Sequence, residues 1–320
     1  MRRRFAARLG QSIVVTFIVA TIAFVAIRAA PGDPFSYDRL SPRARDNLRQ
    51  QWGWDRPVPE QYARYLANIA RGDFGYSLVK QEPVSTALTQ ALPRTLLLAC
   101  TALVLSFAIG IGLGVLQAAR GGWFDRVSSA VILICYSVPD FWGALVMLTV
   151  FALWWPLFPP GDMVTAVEHD YMAAWPAFID RLRHLILPVA SLTLLSLASI
   201  ARYQRAAMLD VLPSDFIRTA RAKGVAERGL IWRHAFRNAL TPMVTILGLT
   251  LPAFLGGAIF IERVFNWPGL GTLAADAIEA RDYDLVTGTV IVGAVLVIVG
   301  NLIADLLHAA IDPRVRDQHD

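Results

Sequence analysis

The sequence predicts an all-α integral membrane protein with six transmembrane helices. Three observations predict it. The chain of 320 residues is 55% hydrophobic and only 17% charged, whereas ordinary soluble domains carry about 25% charged residues. Its mean hydropathy is +0.47. Its apolar residues also fall in blocks, and roughly 20 such residues cross about 30 Å of hydrocarbon as a helix. The blocks are Leu9–Ala29, Thr95–Ala119, Val127–Trp155, His184–Ala201, Thr241–Ile261 and Leu285–Ala310. No heptad array, low-complexity tract or soluble linker interrupts them, so the expectation is one integral domain over residues 1–320.

The first block follows "MRRR" and has the outline of a signal peptide. Its apolar run, Ser12 to Ile27, is longer than the usual signal core of about 7–15 residues. The "PGDP" after it reads as a turn, so a retained span is expected. Residues 30–93 then form a long, folded extracytoplasmic segment. Ser41-Pro42 offers one helix start. A second helix begins near Pro59, carries Tyr62, Tyr65, Leu66 and Ile69 at helical spacing, and stops at Gly72. The pair lies over the outer mouth, or else forms a tethered surface hairpin without a role.

In the second block, Gly110 and Gly114 make a GxxxG pair that lets helix backbones approach closely. The third and fourth blocks contain Pro139 and Pro188. Spans tolerate proline where neighbours satisfy the freed carbonyl. Residues 156–183 read as a second outer loop with a short helix near Ala173–Arg181. Cys100 and Cys135 fall inside spans and read as buried small side chains, not as a disulfide.

Charge orients the chain. The short connections on one side, with the termini and residues 202–240, hold sixteen basic residues; 156–183 and 262–284 hold four. The positive-inside rule puts both termini and the 202–240 loop in the cytoplasm. This bias also explains the pI of about 9.5 without a nucleic-acid partner.

Several chemistries are excluded. A phosphate-binding P-loop needs Lys followed by Ser or Thr, but Lys80 precedes Gln81 and Lys223 precedes Gly224. None of the five histidines has metal-ligand spacing, and neither HExxH nor GxSxG occurs. No catalytic residue, metal site or cofactor of the chain's own is expected. The one clear mid-span ionisable residue is Asp140, in "SVPDFW". It lines a translocation path and meets a cationic part of the solute, or it bonds the backbone freed by Pro139.

The 202–240 loop has more pattern than a solvated positive loop needs. Pro213-Ser214-Asp215 is a helix start. Phe216, Ile217, Ala220 and Gly224 put small and apolar groups along one side, and Gly224 can end the helix in a left-handed residue. A second helix runs from Ala226 or Glu227 into Leu240. A helix, a glycine turn and a helix suit insertion into a partner's groove; a loop packed on the headgroups is the alternative.

The stretch "DFIRTARAKGVAERGLIWRHAFRNALTPMVTILGL" resembles the permease signature of ATP-binding-cassette importers, in its dipeptide and oligopeptide form. So do "PGDP" at 31–34, "GDFGYS" at 72–77, "LPRTLLL" at 92–98, "HLILPVASL" at 184–192, "ERVFNWPGLGTL" at 262–273, "ARDYDLV" at 280–286 and "NLIADLLHAAIDPRVR" at 301–316. The general importer pattern has Glu-Ala-Ala where this chain has Arg218-Thr219-Ala220, and Ile-x-Leu-Pro where it has "HAFRN", His234 to Asn238. Both departures look like the peptide-permease variant.

The resemblance implies a type I importer permease fold in the bacterial inner membrane. It implies four kinds of partner: a homologous second permease, two ATPase subunits that bind ATP and Mg, an extracytoplasmic peptide-binding protein, and membrane lipid. The ATPase-coupling residues it implies are Arg218, Thr219, Ala220, Arg221, Ala222, Lys223, Gly224 and Val225. A nickel-chelate, glutathione or other small-solute permease of the same family stays open, as does, more distantly, an ATP-independent secondary transporter.

Overall fold

The structure, a computed structural model, describes residues 2–29, 43 and 55–311. The helix start at Ser41-Pro42 lies outside them. The chain is mostly helical and divides into two compact units. One comprises Met1–Arg94 with Gly269–Leu296; the other comprises Thr95–Pro268 with Val297–Asp320.

In the first unit, α1 (Arg2–Ala29) is met by α2 (Val58–Ala70). Helix α2 starts after Pro57, with Pro59 in its first turn, close to the expected start. Its aromatic side docks on α1. Tyr62 Oη and Thr21 Oγ1 lie 2.7 Å apart, Tyr65 Oη donates to Ala20 O at 3.1 Å, and Phe24 packs against both rings. Gly72, at φ +76°, follows the helix end. A two-residue hairpin follows, β1 (Tyr76–Ser77) with β2 (Glu82–Pro83), antiparallel with Ser77 opposite Glu82.

Helix α3 (Val84–Arg120) begins at Val84 rather than Thr95. Its first turns are too polar to read as a span, yet Val84, Ala87, Leu88 and Ala91 form a buried helical stripe. That stripe packs on α12 (Leu270–Glu279) and the start of α13 (Tyr283–Ile311) through Leu270, Leu273, Ala277 and Leu285.

The second unit holds the remaining helices. Helix α4 (Gly122–Ser137) ends before Pro139, and α5 (Asp140–Leu148) restarts there and continues as a π-helical turn, Thr149–Trp154. The two arms bend by 104°, so the expected third span is broken rather than kinked. Helix α6 (Ala174–Val211) merges the expected short helix near 173–181, the fourth block and the first residues of the expected 202–240 loop. Charged residues end a hydropathy block; they do not end a helix. Next come α7 (Asp215–Ala222), α8 (Glu227–Gly229), a π-helical turn Leu230–Ala235, α9 (Phe236–Ala239), α10 (Thr241–Gly257) and α11 (Ile259–Val264). The core gathers Leu98, Leu187, Phe254, Ile261, Phe265 and Trp267.

The glycine pair of α3 does what its spacing predicted. A Cβ on Gly110 would lie 2.8 Å from Ile200 Cγ2, and one on Gly114 would lie 2.6 Å from Ala201 O, so α3 and α6 touch backbone to backbone. Both cysteines are free, but Cys100 is exposed and Cys135 half-buried, against the expected burial. A span also has a face outside its own chain's core, and a small apolar thiol sits there without cost.

Among the described residues, three helical segments are long and apolar enough to cross a membrane: Gly10–Ala29, Val84–Arg120 and Tyr283–Leu306. The number is five if the bent pairs Gly122–Ser137 with Asp140–Trp154 and Ala174–Leu194 with Ser196–Val211 each count as one. The remaining block lies on α10 and α11, whose apolar stretch Thr241–Phe254 is shorter than a span.

Candidate functional site

The element between α6 and α10 is built from its turn outward. After α7, Lys223 caps the helix and Gly224 takes φ +81°. Gly224 N donates to Arg221 O at 3.0 Å and Val225 N to Ala220 O at 3.2 Å. This pair of bonds is a Schellman motif, which satisfies carbonyls that a helix end leaves open. Only glycine takes this left-handed conformation without strain. A fork then crosses the turn: Arg221 Nε donates to Glu227 Oε1 at 2.7 Å and Nη2 to Oε2 at 3.3 Å. The fork holds the Glu227 carboxyl below its ordinary range and raises the Arg221 guanidinium.

At the other end, Ser214 has extended backbone and its carbonyl accepts Ile217 N and Arg218 N. Its hydroxyl donates to Val211 O at 2.6 Å rather than capping α7. Asp215 stands in the first turn, where a carboxylate suits the helix dipole.

The face of α7 that points inward is Ile217 with Ala220; Ile217 is fully buried with Val115 of α3, Met208 of α6, and Ala235 and Ala239. Phe216, expected on that side, is instead exposed, because it lies about 100° round the helix from Ile217. Trp232 is also exposed and packs edge-on against Phe236. Arg218 reaches Asp215 at 3.5 Å with both side chains largely in the open. Thr219 Oγ1 donates to Asp215 O, and Ala222 and Lys223 are exposed. The structure therefore brings Arg218 to Val225 together as one helix end and turn, pinned from beneath and open outward. Arg221 is committed to the turn itself rather than held free for a partner.

Asp140 lies apart from this element. It is exposed at the first turn of α5, directly after Pro139.

Two further polar clusters were missed by sequence reasoning about sites. In the first unit, buried Asp282 accepts Ser77 Oγ at 2.6 Å and Leu285 N at 3.2 Å, joining "GDFGYS" to "ARDYDLV" while capping α13. In the second, buried Asp180 accepts Thr165 Oγ1 at 2.6 Å and Thr165 N at 2.9 Å and lies 2.7 Å from His169 Nδ1; His184 Nδ1 bonds Asp180 O at 2.8 Å. The Asp180–His184 spacing of one helical turn was the available signal. Among the described residues no group of His, Cys, Asp and Glu could hold a metal ion.

Several membrane-length apolar helices define a multi-pass membrane protein. The chain belongs to the family of binding-protein-dependent transport system inner membrane components, which matches residues 110–317; that family's N-terminal component matches residues 1–99. It is 38% identical over 95% of its length, and 96% of the relative's, to the oligopeptide transport system permease protein AppB of Bacillus subtilis. It is 37% identical to the dipeptide transport system permease protein DppB of Escherichia coli K12, over 97% of each chain. It is also 37% identical to the di/tripeptide transport system permease protein DppB of Pseudomonas aeruginosa, over 98% of each. The chain is thus an inner-membrane transport component and not itself an enzyme.

Proposed function

We propose that the chain is the transmembrane permease subunit of an ATP-driven importer and forms half of the translocation pathway for di- or oligopeptides. The near-full-length similarity to peptide permeases supports the substrate class. The observation that carries the mechanism is helix α7 with its turn, buried at Ile217 and Ala220 and exposed at Phe216, Arg218 and Lys223. The whole chain is one transmembrane domain of six spans, the fifth made by α10 and α11 together. Both termini and α7 are cytoplasmic, and residues 30–93 face outward.

In this reading the exposed side of α7 seats in a groove of an ATPase subunit. ATP and Mg bind on two such subunits, which supply the chemistry of hydrolysis. Nucleotide favours the closed ATPase pair, and a ligand shifts an equilibrium only by its differential affinity for the two states. Closing the pair draws this helix towards that of a homologous second permease, and the spans rock from inward-facing to outward-facing. A binding protein delivers the solute to the outer segments. Asp140, in the first turn of α5, faces the pathway and attracts cationic solutes.

The test is co-purification with the neighbouring subunits, followed by mass spectrometry of the ligand retained by the binding protein. ATPase subunits and a peptide are expected. A nickel chelate or glutathione would replace the substrate class. Uptake by this chain alone, driven by an ion gradient, would overturn the reading.

A further inference from the structure

A polar network ties three helices of the second unit together. Arg205 of α6 grips Asp125 of α4 with both prongs, Nε to Oδ1 and Nη2 to Oδ2, each at 2.6 Å. Ser129 Oγ donates to the same Asp125 Oδ1 at 3.3 Å. Gln117 of α3, itself buried, donates to Ser128 Oγ at 2.9 Å and to Ser129 Oγ at 3.3 Å. Gly114 brings α3 against the same stretch of α6, where a Cβ would lie 2.9 Å from Arg205 N.

This network is placed to transmit force. Met208 lies one turn beyond Arg205 on α6 and is buried with Ile217 of α7. Displacing α7 therefore loads α6 near Arg205. Besides the ion pair, α4 and α6 pack directly on one another, with Ile132 against Ala198 and Ala201 and Arg202 over the Tyr136 ring at 5.6 Å. Apolar contacts hold helices weakly in lipid, because the tails are as apolar as the side chains. A two-pronged, charge-assisted pair is both stronger and directional.

We propose that Asp125 and Arg205 are the joint that makes α4 follow the docking element, so that closure of a docked ATPase pair moves α4 and α6 as one body. They are positioning residues, and the proposal rests on the reading of α7 as the docking helix. Without the joint, ATP turnover continues while α4 lags and solute movement per ATP falls.

The test uses the full complex in lipid nanodiscs, with Cys100→Ala and Cys135→Ala, and spin labels at Val131→Cys on α4 and Tyr203→Cys on α6, both exposed. The interspin distance is read with and without ATP, Mg and vanadate. With Asp125 and Arg205 intact, one narrow distribution is expected in both states. Asp125→Asn is expected to broaden or split the distribution with nucleotide while the ATPase subunits stay bound. An unchanged distribution in Asp125→Asn overturns the proposal. If that variant fails to assemble, Arg205→Lys decides, since it keeps the charge and loses the fork: broadening supports the joint and an unchanged distribution overturns it. Retention of the ATPase subunits by Gly224→Trp would instead sink the docking reading, and is scored separately.

Discussion

Gly224 carries the sharpest prediction, because its cost can be worked from the geometry. Its φ is +81°, and a Cβ placed there would meet nothing within 4 Å. Gly224→Ala is therefore strained by backbone conformation alone, at about 1–2 kcal/mol. That is a factor of about 5–30 in the population of the turn. Asn tolerates the left-handed region better, so Gly224→Asn should lose less than Gly224→Ala. Gly224→Pro is more severe, since it fixes φ near −65° and removes the N–H that donates to Arg221 O. Gly224→Trp meets open space within this chain and fills the space a docked partner needs. The assay is ATP turnover stimulated by solute-loaded binding protein in the purified complex, with membrane-inserted protein measured alongside. Pro and Trp should abolish coupling and leave insertion intact, with Asn above Ala. Normal stimulated turnover in Gly224→Trp would refute the docking argument, and Ala equal to wild type would refute the turn argument.

Gly114→Ala should lower thermal stability in detergent by about 1–3 kcal/mol of overpacking, because its Cβ would sit 2.6 Å from Ala201 O, whereas Gly112→Ala, with nothing within 4 Å, should be silent. Asp282→Ala should destabilise the first unit by about 1–3 kcal/mol for each buried donor left unpaired, read as a lower melting temperature, and a neutral result would show that the Ser77 and Leu285 bonds carry no weight. Asp140→Asn should reduce uptake of lysine-containing peptides relative to glutamate-containing ones, and equal loss for both would remove it from the pathway.

Where burial follows local pattern, the sequence was readable. Ile217 and Ala220 share a face at helical spacing, Gly224 ends the helix as its lack of a side chain allows, and Gly110 with Gly114 marks the α3–α6 contact. Hydropathy misjudged helix ends wherever a helix left the apolar register. Helix α3 starts at Val84 on an amphipathic stripe, and α6 runs through Asp180, Arg181, Arg183 and His184 without a break. Phe216 reads as buried because it is apolar, whereas its place on α7 turns it outward, away from Ile217. Arg221–Glu227 spans six residues around a turn, and Asp125–Arg205 spans eighty. No local period marks such pairs, which exist only once the helices are in place.

The break between α4 and α5 has a consequence for how the chain sits in a bilayer. Helix ends leave backbone amides and carbonyls open, and here two ends meet at Val138 and Pro139 with a 104° bend. Lipid cannot satisfy them, so such a break persists in a bilayer only where protein or a water-filled space covers it. Tyr136, Ser137 and Phe141 beside it are exposed in the single chain. At this point the bilayer alone is a poor solvent for the chain, and the backbone needs cover that the residues around the break do not supply.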